Sequence, residues 1–371
     1  MRRVTRFLRI AALAAGAVAL SGSLLAQTPT PTPTATPTPT PTPVPVVVPA
    51  SVGGLGIPEG GRIDASNMLF DADGTIWSGS ADSNTLIRIS AGETKIRKWA
   101  MPKDAAPSHL LKEADGKLWV AQRGGFKVFL FDPATAELTE WADSARRPTA
   151  FVKKADGTLW LPETNGTLTN FDPATGTFVY RKSKDTAHPI ASLAYPFVDA
   201  DGSVWCGDFL LGNLVRFTPD GSKATIWTLP DTYAQPSKII RGPDGYLWIS
   251  LYNAAQLARF DPATAELRTY AVGMFTLPFD MKVYKDRIVY TEQLGGEVGV
   301  FDPRGSAPVA TKTLESAEVT LTSTSEVATA VTTTLTFTDV DVAVTNPTAI
   351  EGAITPGLAR YSAVGGAAYA L

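Results

Sequence analysis

The chain is poor in the residues that most often cross-link a fold or carry out chemistry. In 371 residues it has one cysteine, Cys206, and two histidines, His109 and His188. A single cysteine excludes an internal disulfide, so packing alone must hold the fold. Cys206 directly follows Trp205, which suits a small buried apolar role, with a reactive thiol as the alternative. Two separated histidines in unlike contexts exclude a histidine-based metal spacing. His109 stands one place after Ser108 and is expected to point away from whatever Ser108 faces; His188 precedes Pro189. No basic run occurs anywhere, so nucleic acid and anionic membrane surfaces are poor partners. No Ser-His-Asp, Cys-His or phosphate-cradling glycine motif is present. Nor does any segment outside the first residues show a helical period longer than a turn or two.

The ends have a different character. Arg2, Arg3, Arg6 and Arg9 precede an apolar stretch from Ile10 to Leu20, with the small Ala26 beyond it. This pattern predicts an export signal over 1–26, either cleaved or kept as an anchor. Without it the chain carries 29 basic and 36 acidic residues. No cysteine lies near the cleavage point, which argues against a lipid anchor. From Thr28 to Pro45 the sequence is almost purely Thr-Pro. Proline fixes φ and removes a donor, so 27–45 is expected to be a polyproline-II stalk or linker of roughly 55 Å, at about 3.1 Å per residue. A propeller domain is expected over 46–371.

What fills that domain is a repeat. ADGTIW, ADGKLW, ADGTLW, ADGSVW and PDGYLW end at Trp77, Trp119, Trp160, Trp205 and Trp248, and a degenerate KDRIVY ends at Tyr290. The leading aspartates (Asp73, Asp115, Asp156, Asp201, Asp244, Asp286) are 42, 41, 45, 43 and 42 residues apart. A second anchor follows each motif: FDPATAEL at 131–138 and again at 260–267, with variants at 171–178, 217–224 and 301–305. This period, with strand-like segments and glycine turns, predicts an all-β propeller of four-stranded blades. In the third repeat the strands are expected at 149–153, 158–163, 168–171 and 177–180. Gly157 and Asn165-Gly166 mark hairpins, and Asp172-Pro173 a type I turn. Asn165-Gly-Thr also reads as a glycosylation sequon, but the turn is the simpler reading. One tryptophan per blade is expected to fill the wedge against the next blade.

Six repeats are readable from about 62 to 305. The tail, Gly357–Leu371, resembles half a repeat, and VPVVVPASVGGLGI after the stalk could supply its missing outer strands. The expectation is seven blades, the last split between the chain ends, with six as the alternative. The segment 306–348 breaks the period. Its Thr/Val/Leu/Phe alternation reads as an inserted β-hairpin or arm leaving blade six, or as a loop. Its Thr-rich face is a candidate contact for another molecule or another copy.

Aligning the repeats brings two rings to one end of a propeller channel. Seven residues before the turn aspartates stand Ser66, Ser108, Thr149, Ala194, Ser237 and Phe279. At the ends of the second strands stand Ser80, Gln122, Glu163, Asp208, Leu251 and Glu292. Ser80, Ser108, Gln122, Thr149, Glu163, Asp208, Ser237 and Glu292 are therefore the candidate ligand-binding rim. Arg123, Gln293, Tyr252 and Asn253 are nearby candidates for orienting a ligand. Glu163, Asp208 and Glu292 could hold Ca²⁺ or Mg²⁺, or raise one another's pKa for acid–base work, or simply face channel water.

The P-x-x-(I/M/F)…DG-x-(L/I)-W…E…F-D-P pattern resembles the streptogramin (virginiamycin B) lyase-like propellers over about 62–305. The resemblance implies a metal-assisted elimination that opens a cyclic depsipeptide at its ester. It also implies a histidine base at a first-strand start and a Glu-x-His at the end of a second strand. Glu163 and Glu292 match those glutamates. Their blades begin Pro148-Thr149-Ala150 and Pro278-Phe279-Asp280, and two places after the glutamates stand Asn165 and Leu294, so the imidazoles are missing. Without one, no group has an ordinary pKa suited to taking a proton near neutrality. The sequence thus points to an exported, secreted, periplasmic or surface-held propeller that binds a glycan, peptide or protein. A metal-dependent lyase or lactonase, and a self-assembling surface or filament component, are the alternatives.

Overall fold

The computed structural model describes residues 68–341 apart from 74, 82, 91–94, 123–126, 143–147, 149, 274–275 and 293–296, together with strands at 358–362 and 369–370. The expected export signal, the stalk and the segment after it lie outside the described residues.

The repeats fold as antiparallel blades. Blade one holds β1 (Met68–Phe70), β2 (Ile76–Ser80), β3 (Thr85–Ile89) and β4 (Lys95–Ala100). Blade two holds β5 (Pro107–Lys112), β6 (Leu118–Gln122), β7 (Lys127–Asp132) and β8 (Glu137–Ala142). Blade three holds β9 (Val152–Lys153), β10 (Leu159–Pro162), β11 (Leu168–Asp172) and β12 (Thr177–Ser183). Blade four holds β13 (Phe197–Val198), β14 (Val204–Asp208), β15 (Asn213–Phe217) and β16 (Lys223–Thr228). Blade five holds β17 (Pro236–Arg241), β18 (Leu247–Leu251), β19 (Gln256–Asp261) and β20 (Glu266–Ala271). Blade six begins with β21 (Pro278–Tyr284), β22 (Arg287–Glu292) and β23 (Glu297–Phe301).

The repeated aspartates build the turns. The first hairpin of each of the first five blades closes when the aspartate side chain takes the amide two residues on: Thr75, Lys117, Thr158, Ser203 and Tyr246, at 2.9–3.3 Å. In blades two to five the glycine between them adopts a positive φ, from 80° at Gly202 and Gly245 to 91° at Gly116. This left-handed conformation costs glycine little. The D-P-A-T turn repeats the device: Asp132, Asp172 and Asp261 accept from Ala134, Ala174 and Ala263 at 2.9–3.0 Å.

The tryptophans lie between blades. Trp77 stacks on Trp99, Trp119 packs on Trp141, Trp205 stacks on Trp227, and Trp248 packs on Tyr270, with ring centroids 5.2–5.6 Å apart. The outer-strand ring of each pair then meets a phenylalanine of the following blade: Phe131, Phe171, Phe260 and Phe301. Each buried indole contributes on the order of 2–3 kcal/mol. Blade three departs from the pattern. Lys154 and Arg181 lie over the Trp160 ring at 4.5 and 4.9 Å.

Two expectations are corrected at the C-terminal end. The described residues form six blade sheets, and the tail does not start a seventh among them. Instead β28 (Leu358–Ser362) pairs with β23 as the fourth strand of blade six, followed by β29 (Tyr369–Ala370). Within the 306–348 segment the described residues, 306–341, form neither a hairpin nor a free arm, because their strands pair with blades and not with each other. β24 (Ala310–Thr313) lies on β20 of blade five. β25 (Ser316–Val327) lies first on β16 of blade four and then on β12 of blade three. β26 (Ala330–Thr334) lies on β8 of blade two, and β27 (Phe337–Asp341) on β4 of blade one. The segment is a belt that adds a fifth strand to blades five, four, three, two and one in turn. Every pairing is antiparallel.

At each crossing from blade to blade the belt drops an apolar side chain into the seam. Leu314 joins the core between blades four and five, Val319 and Leu321 that between three and four, Ala328 that between two and three, and Leu335 that between one and two. By urea denaturation, Trp205→Ala should cost about 3–5 kcal/mol and Leu335→Ala about 2, whereas the exposed Thr333→Ala should stay within about 0.5. Losses below about 1 kcal/mol for Trp205→Ala would contradict the seam as the source of stability.

Candidate functional site

The aligned second-strand ends occupy equivalent places, as expected. In each case the residue sits opposite the start of its own first strand: Gln122 with Pro107, Glu163 with Pro148, Asp208 with Leu193, Leu251 with Pro236 and Glu292 with Pro278. They do not form an open rim of charge. Ser80, Gln122, Glu163, Asp208 and Glu292 are all buried. Ser80 Oγ accepts from the Ser83 amide, and Gln122 Nε2 donates to the Lys127 carbonyl at 3.0 Å. Glu163 Oε1 accepts from the Thr169 hydroxyl.

Asp208 shows the same use of a carboxylate most fully. Its two oxygens accept from the amides of Ala191, Ser192, Leu210 and Leu211 at 2.8–3.3 Å, which ties the β14–β15 turn to the start of blade four. Burial pushes this carboxyl above the ordinary range, while the four amides oppose the shift. Asp208 is engaged by amides, and among the described residues no group of three or more His, Cys, Asp or Glu is placed to hold a metal ion. No step through a metal follows from this donor set.

The hydroxyl ring is displaced by one residue. Ser108 and Ser237 are buried, and neither Oγ has a hydrogen-bond partner among the described residues. Thr149, Arg123 and Gln293 lie outside the described residues. The cause is a β-bulge at the start of the first strand, seen between Pro107 and His109, Pro236 and Ile239, and Pro278 and Met281. One extra residue turns every following side chain to the other face. Second-strand hydroxyls complete the bulged backbone. Ser250 Oγ accepts from the Lys238 amide at 2.9 Å and donates to the Phe279 carbonyl at 2.8 Å, and Thr291 Oγ1 accepts from the Asp280 amide at 3.1 Å.

The bulge brings a different set of side chains together, and His109 belongs to it, contrary to the expectation that it points away. Its ring meets Phe151 of blade three edge-on at 5.1 Å and lies 6.0 Å from Tyr195 of blade four. It also feels the charges of Lys238 in blade five and Lys282 in blade six. Its ring contacts thus run from blade two to blades three and four. Around it, Lys238 Nζ lies 3.5 Å from Asp280 and 5.7 Å from the Tyr195 ring. An aromatic cluster continues outward: Tyr195 edges onto Phe279 at 5.2 Å, Phe279 onto Tyr252 at 5.8 Å, and Tyr252 packs on Phe209 at 5.7 Å. Tyr195 and Phe279 are buried, while Phe209 and Tyr252 are partly exposed. Leu210 and Tyr233, on the adjoining turns, are 62% and 78% exposed. The mouth is thus an aromatic floor with one Lys–Asp pair, spanning blades four to six.

The remaining polar candidates have local roles. Asn165 Oδ1 accepts from the Thr167 amide at 2.9 Å, as a hairpin turn requires. Asn253 Nδ2 donates to the Tyr233 carbonyl at 3.1 Å and so holds that loop. His188 is exposed beside Asp185. Cys206 is fully buried, and burial pushes its thiol far up, away from a reactive thiolate.

Burial, reinforced by Lys238 and Lys282, holds the His109 imidazole neutral, with its pKa brought down from 6.5 to about 3. The unfolded chain therefore binds this proton more readily than the native one, and stability falls as pH drops from about 6.5 toward 3. His109→Gln should flatten that fall between about pH 6 and 4, read as urea midpoints across the range. An unchanged slope would place His109 in water.

In comparisons with known proteins, residues 62–301 match the Virginiamycin B lyase family. No curated protein matches the chain. Among solved structures, a virginiamycin B lyase from Staphylococcus aureus superposes with a TM-score of 0.59 at 16% identity, over 71% of this chain and 94% of that one. A streptogramin B lyase gives 0.59 at 20% identity, over 72% and 85%. A nidogen/laminin complex gives 0.50 at 13% identity, over 64% and 92%. These likenesses are of fold. The family match covers most of the chain and the whole run of repeats, and the chain belongs to the virginiamycin B lyase family.

Proposed function

We propose that this chain is an exported binding module that takes an extracytoplasmic glycan, peptide or protein at the aromatic mouth, and that it is not a streptogramin-opening lyase. The observation that carries this reading is the composition of the mouth. Tyr195, Phe209, Tyr252 and Phe279 offer ring faces and edges, and Lys238 with Asp280 offers one donor and one acceptor group. Aromatic surfaces with a few fixed polar groups bind by stacking and area, and orient by hydrogen bonds. Acid–base chemistry has little support there. His109 stays neutral down to about pH 3, too weak a base to take a proton near neutrality. Glu163 and Asp208 are buried and engaged in local hydrogen bonds.

The export reading rests on the N-terminal arginines and apolar stretch. Among the described residues no helix is long and apolar enough to cross a membrane.

Purified full-length protein incubated with a streptogramin B should leave the ring closed by liquid chromatography. Turnover abolished by Glu292→Gln would overturn the reading. Added Ca²⁺ or Mg²⁺ should leave the melting temperature unchanged. Glycan and peptide arrays probed with the same protein should yield binders that Tyr252→Ala weakens at least about tenfold, or about 1.4 kcal/mol. Binders indifferent to Tyr252→Ala would place the site elsewhere.

A further inference from the structure

The belt has an internal period of its own. Leu314, Leu321, Ala328 and Leu335 are spaced seven residues apart. Each is the residue at a blade-to-blade crossing, and each makes the same backbone bond. The Leu314 amide donates to the Ala265 carbonyl at 2.9 Å, Leu321 to Ser222 at 2.8 Å, Ala328 to Gly176 at 2.9 Å and Leu335 to Ala136 at 2.8 Å. Those four acceptors are one position of the repeat, the fifth residue after the phenylalanine of Phe131, Phe171, Phe217 and Phe260. At about 3.3 Å per residue, seven residues span roughly 23 Å, the step from one blade edge to the next. Blade and belt repeats are thus matched, one heptad per blade.

Two consequences follow from that match. The first is that attachment is generic. It consists of main-chain ladders plus one or two apolar side chains per seam, and the other residues of each seam core come from the blades. The second is that the four crossings take the same kind of residue, so a shift by seven residues keeps the small or apolar positions Leu314, Leu321, Ala328 and Leu335 at crossings, while the buried Val319 has Lys312, Glu326 and Thr333 as its equivalents. Register is marked by specific partners: Lys223 with Glu318 at 2.7 Å, Tyr180 with Glu326, Thr139 with Thr332 at 3.0 Å, the Arg97 guanidinium across both oxygens of Asp339 at 2.7 and 2.9 Å, and Phe337 under Arg97 and beside Trp99. Any second copy of this chain presents the same edges and the same partners.

We propose that the blade edges are strand-acceptor sites for this heptad belt, and that the belt exchanges between copies, linking propellers through swapped C-terminal segments. The native contacts are identical in the closed and exchanged forms, so only the effective concentration of a copy's own belt favours closure. That advantage shrinks as protein concentration rises.

The test uses full-length chains. Arg97 and Asp339 are directly opposed on β4 and β27, and Thr225 and Glu318 on β16 and β25. One tagged copy carries Arg97→Cys and a differently tagged copy carries Asp339→Cys. A second pair of copies carries Thr225→Cys and Glu318→Cys. Each pair is mixed, passed through mild urea and back, and oxidised. Doubly tagged disulfide dimers should form for both pairs, rising at least about tenfold over a hundredfold increase in concentration. The two-cysteine version of each pair within one chain serves as the control for correct placement. If those controls close within their own chains while neither mixed pair gives a doubly tagged dimer at any concentration, belt exchange is ruled out.

Discussion

Burial of paired rings in the wedge between neighbouring blades is the constraint on which the rest depends. A four-stranded sheet cannot bury both its faces alone, so each blade needs its neighbours. The stacked Trp–Trp and Trp–Tyr pairs, each capped by a phenylalanine of the following blade, meet that need at four of the seams. Radial stacking then carries first strands from distant parts of the sequence to one axis. His109 of blade two thereby reaches Phe151 of blade three and Tyr195 of blade four. Close backbone approach near the axis tightens the arrangement. A Cβ on Gly207 would stand 2.2 Å from the Pro236 carbonyl of the next blade, and one on Gly79 would stand 2.7 Å from that of Pro107.

The outer perimeter is governed by a second periodicity. The D-P-A-T turn ends the third strand, places a residue of positive φ at Ala136, Gly176 and Ala265, and turns that residue's carbonyl toward the belt. One short motif therefore closes a hairpin and receives a strand from far along the chain. The belt covers outer strand edges that would otherwise be open to pairing with other chains. It also moves the exposed edge outward, onto strands rich in threonine.

Much of this was legible in the sequence. The 42-residue period, the Asp-Gly turns and the tryptophans specified the blades, and the third blade follows the expected strands closely. The belt heptad was also present in the sequence, but local alternation of Thr, Val and Leu reads only as strand. A strand does not reveal that its partners lie in five blades, between about 40 and 240 residues away. The surroundings of the aligned positions were less legible, for a different reason. Repeat alignment identified equivalent positions correctly, as the pairing of Gln122, Glu163, Asp208 and Glu292 with their first-strand starts shows. It could not show the bulge that turns the first strands by one residue. Ser80 and Asp208 accept amides of the turns that follow them, and the first strands bring His109, Lys238 and Asp280 near Tyr195 and one another. The aromatic residues of the mouth carry no repeat signal, since each occurs in one or two blades only.

Membership of a family fixes the fold, and function lives in the site that the fold carries. The architecture itself is most directly examined by hydrogen exchange read by mass spectrometry over the belt. If the chain's own C-terminal segment closes the blade edges at seven-residue steps, peptides covering 310–341 exchange slowly, with the amides of Leu314, Leu321, Ala328 and Leu335 among the slowest in the segment. If the whole of 310–341 exchanges at the rate of an unstructured chain while the blades stay protected, the belt is not part of the native fold and the account of the perimeter fails.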